Sequence, residues 1–144
     1  MPKRISPEEA NDLLQQGYTY VDVRSEAEFE ACHPAGAVNI PFMHRSAAGM
    51  TPNPLFIEAF ETAFPPESKI VLGCAGGNRS LKAAQLLEAT GREDLVECRT
   101  GFGGARDAAG QVIEKGWQDS GLPCEVGQPP QRSWEAVRSK LPSR

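Results

Sequence analysis

The 144-residue, 15.6 kDa chain is the size of one domain, and at that length roughly 70% of the unfolded chain's surface can be buried without a metal or disulfide staple. Fifteen Lys and Arg against nineteen Asp and Glu leave a net charge of −4 with no basic run, which argues against a nucleic-acid binder. Apolar runs such as Ile70-Val71-Leu72 are too short for a transmembrane helix, residues 1–6 lack the apolar core of a signal peptide, and the expected location is the cytoplasm.

Ser6-Pro7-Glu8-Glu9 opens a helix with a capping serine, proline at the first helical position and acids near the positive end of the dipole, and Gly17 follows its end near Gln16. Residues 19–23 read as a strand rich in β-branched and aromatic side chains, and 25–31 as a short helix with Ser25 and Glu28 in capping-box spacing. A brief strand at 38–40 ends at Pro41. Leu55, Ala59 and Phe60 mark a helix over 54–64, closed by Pro65-Pro66. Residues 69–73 form a short apolar strand, 80–90 a helix with Leu81, Ala84 and Leu87 along one side, and 95–98 the last strand. The glycine-rich stretch 101–116 is expected to be a long surface loop. Residues 1–127 are expected to form one domain, with 128–144 a Pro-rich linker and a short helix near 133–140 packing on or beside it. Strands alternating with helices predict an α/β fold: a three-layer, mainly parallel sheet with helices on both faces and ligands outside the carboxyl ends of the strands.

The four cysteines, Cys32, Cys74, Cys98 and Cys124, show no Cys-x2-Cys spacing, so they are expected to be free thiols in a reducing compartment, and no metal site is expected. Cys74 stands apart. It follows the apolar strand and precedes a tight loop, Ala75-Gly76-Gly77-Asn78-Arg79-Ser80, that runs into a helix. Glycines let loop amides turn inward, and with the helix dipole they form an anion nest around the sulfur.

Cys74-Ala75-Gly76-Gly77-Asn78-Arg79-Ser80 resembles the active-site loop of the rhodanese-family sulfurtransferases, Cys-x-x-Gly-x-Arg-Ser. Asp22-Val23-Arg24 with Glu28-Phe29, His33 with Gly36 to Pro41, and Gly121-Leu122-Pro123 with Trp117 resemble further motifs of that family, in its order. Cys32 and Ala35 depart from its usual glycine and proline, and 103–116 is longer than its usual link. The resemblance implies a five-stranded sheet and transfer of a sulfane sulfur through a Cys74 persulfide, held by the amides of 75–80, without metal or organic cofactor. The implied partners are a small donor such as thiosulfate or a persulfide, a thiol or cyanide as acceptor, and a protein persulfide as a further donor, with no nucleic acid and no membrane. Asp22 and Arg24 are expected to form a supporting salt bridge under the loop, Arg79 to pair with Glu28, His33 to be a turn histidine and Cys98 a buried strand residue. With Ala75, Gly76, Gly77 and Asn78 uncharged, Arg79 is the loop's only cation, so thiosulfate is expected to be a poor donor. Two rivals remain: a phosphatase or arsenate reductase, whose loop has five residues between cysteine and arginine where this chain has four, and a rhodanese-like binding module, which commonly lacks the cysteine.

Overall fold

A computed structural model describes residues 3–141; residues 142–144 of the expected tail and residues 1 and 2 lie outside the described residues. The chain begins with β1 (Lys3–Ile5), a strand with no local signature. Ser6 caps α1 (Pro7–Gln15), its side chain accepting from the Glu9 amide while the Glu9 carboxylate accepts from the Ser6 amide. β2 (Thr19–Asp22) leads to α2 (Glu26–Ala31), which opens on a second capping box formed by Ser25 and Glu28. β3 (His33–Pro34) and β4 (Val38–Asn39) follow, then an antiparallel hairpin of β5 (Met43–Ser46) and β6 (Gly49–Pro52). Next come α3 (Phe56–Ala63), β7 (Ile70–Gly73), α4 (Asn78–Glu88) and β8 (Leu95–Cys98). The chain continues through β9 (Ala105–Arg106), β10 (Val112–Glu114), β11 (Cys124–Glu125) and α5 (Trp134–Arg138).

Five strands form one sheet in the order β1-β8-β7-β2-β4, every neighbouring pair parallel. Side chains alternate between its faces, as the pleat requires. Val21, Ile70, Leu72 and Leu95 pack with α3, α4 and α5, while Tyr20, Val71, Val96 and Cys98 pack with α1, α2 and Trp117. The sheet is thus covered on both faces, which suits its nearly continuous apolar strands. The alternation also directs Glu97 toward the α4 side, next to Leu95 and opposite Cys98. A charged residue inside a fully buried four-residue strand is the one position in β8 that burial alone does not explain.

Two expectations need correction. Residues 101–116 are not a surface loop. Residues 100–102 and 104 are buried, the Phe102 amide donates to the Cys74 carbonyl at 2.7 Å, and the Gly103 amide donates to the Ala75 carbonyl at 2.8 Å. The rest of the segment forms the β9–β10 ladder. Glycine hid this, because local periodicity cannot register a backbone that pairs with a loop far away in sequence. Strand 95–98 is likewise not the last, since β11 pairs antiparallel with β3. That junction is fastened by Glu125, which accepts from the Arg132 guanidinium at 2.5 Å, bonds to His33 Nε2 at 2.9 Å and accepts from the Gly36 amide at 3.3 Å. His33 is fully buried, with its Nδ1 bonded to the Phe29 carbonyl at 2.6 Å and its ring stacked on Phe29 at 3.6 Å. It is a structural histidine, placed in β3 and not in the expected turn, and its two ring nitrogens bond to the Phe29 carbonyl and to Glu125. In the tail, Trp134 and Val137 are buried in the core cluster shared with α3 and the sheet.

Candidate active site

The site lies at the carboxyl end of β7, in the middle of the sheet. β7 ends at Gly73, Cys74 follows, and α4 starts two residues earlier than its apolar spacing predicts, at Asn78 rather than Ser80. The reason is the cap. α1, α2 and α5 each open on a serine whose side chain accepts the amide three residues on. α4 opens on Gly77, which has no side chain to do this, and its first turn carries no acid. The Ser80 amide donates instead to Cys74 Sγ at 3.3 Å, and the Gly77 amide donates to the same sulfur at 3.1 Å. Cys74 therefore caps the helix it precedes, placing a sulfur where an anion is most favoured. Gly77 has φ +99°, and a Cβ there would lie 2.2 Å from the Arg99 carbonyl oxygen, so the loop admits no side chain at this point. The sulfur-bearing residue is itself only 1% exposed.

The loop is held from two sides. On one, Arg79 reaches Glu28 with both Nη atoms, at 2.7 and 3.0 Å, so that Glu28 at once caps α2 and clamps α4. Burial pushes the Glu28 carboxyl up, but the Arg79 guanidinium and the Ser25 cap outweigh it and hold it down to about 2. On the other side, Glu97, fully buried, accepts from Ser80 Oγ at 2.5 Å and from Arg4 Nε at 2.6 Å, and Arg4 Nη2 donates to the Gly77 carbonyl at 3.3 Å. Ser80 Oγ is also 3.4 Å from Cys74 Sγ.

Asp22 and Arg24 pair with each other, with Arg24 Nη2 at 2.7 Å from Asp22 Oδ2. Arg24 also donates to the Cys32 carbonyl at 2.6 Å and lies 4.5 Å over the Phe102 ring. Neither makes a polar bond to Cys74. They support the segment that supports the loop. Of the other thiols, Cys98 is buried, and burial pushes its pKa to about 11; Cys32 is half-buried and Cys124 exposed. Among the described residues no cluster of three His, Cys, Asp or Glu is arranged to hold a metal ion, and no helix is long and apolar enough to cross a membrane.

The electrostatics differ from those of the loop taken alone. Arg79 is committed to Glu28, yet three other arginines line a cleft of about 570 Å³ against Ala75, Gly76 and Asn78. These are Arg4 from β1, Arg99 just after β8 and Arg106 from β9. Arg4 faces Glu97, and Arg99 faces Glu114 at 2.6 Å. Arg106 donates to the Gly110 carbonyl at 2.9 Å and, among the described residues, has no carboxylate at ion-pair distance. The expected shortage of cations is overturned by residues up to 70 positions from the loop. No motif marks them; a charged residue within an apolar strand, Glu97, was the one available signal.

The fold and site define an α/β protein with a cysteine cradled by backbone amides at the end of a central parallel strand. The chain belongs to the rhodanese family: the Rhodanese-like domain model matches residues 6–108. The chain is 38% identical over 126 residues to "Thiosulfate sulfurtransferase 16, chloroplastic" of Arabidopsis thaliana, covering 88% of this chain and 95% of that protein. It is 36% identical over 126 residues to "Senescence-associated protein DIN1" of Raphanus sativus, covering 87% of this chain and 62% of that longer protein. Among solved structures, the crystal structure of Rv0390 from M. tuberculosis superposes with a TM-score of 0.72 at 28% identity, covering 87% of this chain and 98% of that one.

The Glu28–Arg79 clamp has a definite pH signature. Because the folded Glu28 carboxyl is held below its ordinary 4.5, its stabilisation is present above that value and fades as the pH falls toward about 2. The stability gap between wild type and Glu28→Gln, measured by chemical denaturation, should be full at neutral pH and shrink across that acid window. A gap independent of pH down to 2 would contradict the clamp.

Proposed function

We propose that the protein is a sulfurtransferase that carries sulfane sulfur on Cys74. The Cys74 thiolate attacks the outer sulfur of thiosulfate or a persulfide. The donor's S–S bond breaks, sulfite or a thiolate leaves with the bonding pair, and Cys74 holds the sulfur as a persulfide. A thiol or cyanide then attacks that outer sulfur and regenerates the thiolate. The observation that carries this reading is the pair of amide donors, Gly77 and Ser80, converging on Cys74 Sγ at the start of α4. They favour negative charge on the cysteine, and the remaining loop amides of 75–79 offer the same to the terminal sulfur of a persulfide. Arg79 with Glu28, and Asp22 with Arg24, serve as supports for the loop.

Only four residues separate Cys74 from Arg79, and a ring of that size suits one sulfur atom better than the three oxygens of a phosphoryl group, which favours sulfur transfer over phosphatase or arsenate reductase chemistry. An intact cysteine loop favours catalysis over a binding module. The arginine-lined cleft supports an anionic donor, thiosulfate included. Four unpaired thiols suit a reducing compartment such as the cytoplasm.

Intact-protein mass spectrometry after incubation with thiosulfate or a persulfide tests the assignment. Wild type should gain one sulfur atom that cyanide removes, and Cys74→Ala should gain none while keeping its fold. Turnover retained in Cys74→Ala, with the sulfur on Cys32, Cys98 or Cys124, would overturn it. For the donor, Arg106→Ala should raise the thiosulfate KM about fivefold with kcat little changed, since one exposed cation ~4 Å from a dianion contributes on the order of 1 kcal/mol. An unchanged KM would remove the cleft from donor binding.

A further inference from the structure

Glu97 is a fully buried carboxylate in a strand that otherwise consists of core residues. Its surroundings form a chain of short contacts that ends on the reacting sulfur. Arg4 Nε donates to Glu97 Oε2 at 2.6 Å, Ser80 Oγ lies 2.5 Å from Glu97 Oε1, and Cys74 Sγ lies 3.4 Å from the same Ser80 Oγ. Hydrogen counting fixes the direction. An ionised carboxylate has no proton to give, so the single hydroxyl proton of Ser80 is donated to Glu97. Ser80 Oγ then offers only lone pairs to Cys74, and the sulfur contact is an S–H donated to oxygen.

We infer that Ser80 and Glu97 form a proton relay for Cys74, with Glu97 the positioning residue that receives the proton when the thiol becomes a thiolate. The inference rests on Cys74 being the reacting thiol. In the step, the S–H bond of Cys74 breaks as its proton passes to Ser80 Oγ, and the Ser80 O–H bond breaks as its own proton passes to Glu97 Oε1. Nothing is oxidised or reduced; one negative charge moves from Glu97 to Cys74. The proton that Ser80 has received lies toward the sulfur, which thus gathers three donors: the Gly77 amide, the Ser80 amide and the Ser80 hydroxyl. Arg4 compensates the charge at both ends, because its guanidinium touches Glu97 and also donates to the Gly77 carbonyl of the loop. The reverse step returns a proton to the cysteine after a donor or acceptor thiol has reacted.

The other charged or titratable groups around this chain do not compete for the proton. Arg4 from β1 and Arg79 from α4 are permanent cations, the latter neutralised by Glu28 from α2. Burial holds Tyr20 from β2 neutral, and burial likewise keeps Cys98, beside Glu97 on β8, as a thiol. That leaves Cys74 and Glu97, joined through Ser80 Oγ, as the two ends between which the proton moves.

A shared proton has a kinetic signature that a bystander carboxylate lacks. The rate of Cys74 alkylation by iodoacetamide, followed by peptide mass mapping on the full chain from pH about 4 to about 9, should rise in two steps separated by a plateau. The plateau is the population with thiolate and protonated Glu97. Glu97→Gln keeps the shape and the contacts but cannot take a proton; it should lose the plateau, so that reactivity rises in a single step to its full value. Ser80→Ala leaves the Glu97–Arg4 pair in place and should lower the same plateau, which keeps the test intact if the glutamine variant does not fold. A single rise in wild type, slid unchanged to lower pH by Glu97→Gln as removal of a nearby negative charge would do, overturns the relay. Because alkylation reads only the proton, this result stands apart from whether the persulfide forms.

Discussion

Every α-helix starts with amides that have no partner within the helix, and in α4 that partner is the sulfur of Cys74. The consequences run outward from this contact. A cysteine can cap α4 only if it sits at the end of a buried strand, immediately before the helix, with a loop short enough for its side chain to turn back. β7 supplies the strand, and the register β8-β7-β2 puts it in the middle of the sheet where it cannot shift. Gly77 supplies the left-handed turn in space too tight for a Cβ. The loop is then fixed by one carboxylate on each side, Glu28 through Arg79 and Glu97 through Ser80.

Each of these carboxylates performs two tasks, which explains why the site's geometry is tied to the fold's stability. Glu28 closes the capping box of α2 and binds Arg79 on α4, so two helices on opposite faces of the sheet meet through one side chain. Glu97 ties β8 to both β1, through Arg4, and α4, through Ser80. A charge buried this deeply costs several kcal/mol unless it is paired and hydrogen-bonded, and Glu97 has both kinds of partner. The glycine-rich segment after β8 adds a third hold: its amides satisfy the carbonyls of Cys74 and Ala75, which would otherwise be bare at a buried strand end.

The residues that could be read from the sequence were those whose chemistry depends on near neighbours. Capping boxes at Ser6 and Ser25, the apolar strands and the cysteine loop are local patterns, and they placed four of the five sheet strands and the candidate nucleophile. An ion pair of Arg79 with Glu28 was expected from the loop's charge, but its partner, 51 positions away, is fixed only by the folded chain. β1 was not legible, because three residues carry no periodicity and its pairing partner lies more than 90 positions away. The pairing of Phe102 and Gly103 with Cys74 and Ala75 and the arginine cleft escaped for the same reason: each joins segments that only the finished sheet brings together. Charge composition misled in a specific way, since a net charge of −4 says nothing about three arginines gathered at one sheet end.

The cap itself is the contact to measure. Amide hydrogen exchange at Gly77 and Ser80, resolved by NMR, should accelerate about fivefold in Cys74→Ala, the change expected for losing an N-cap worth ~1 kcal/mol, while amides deeper in α4 such as Leu87 keep their protection. Cys74→Ser, whose oxygen can still accept the Ser80 amide, should restore much of the effect. Unchanged protection of Ser80 in Cys74→Ala would mean that the sulfur does not hold the start of α4, and the account built on that contact would fail.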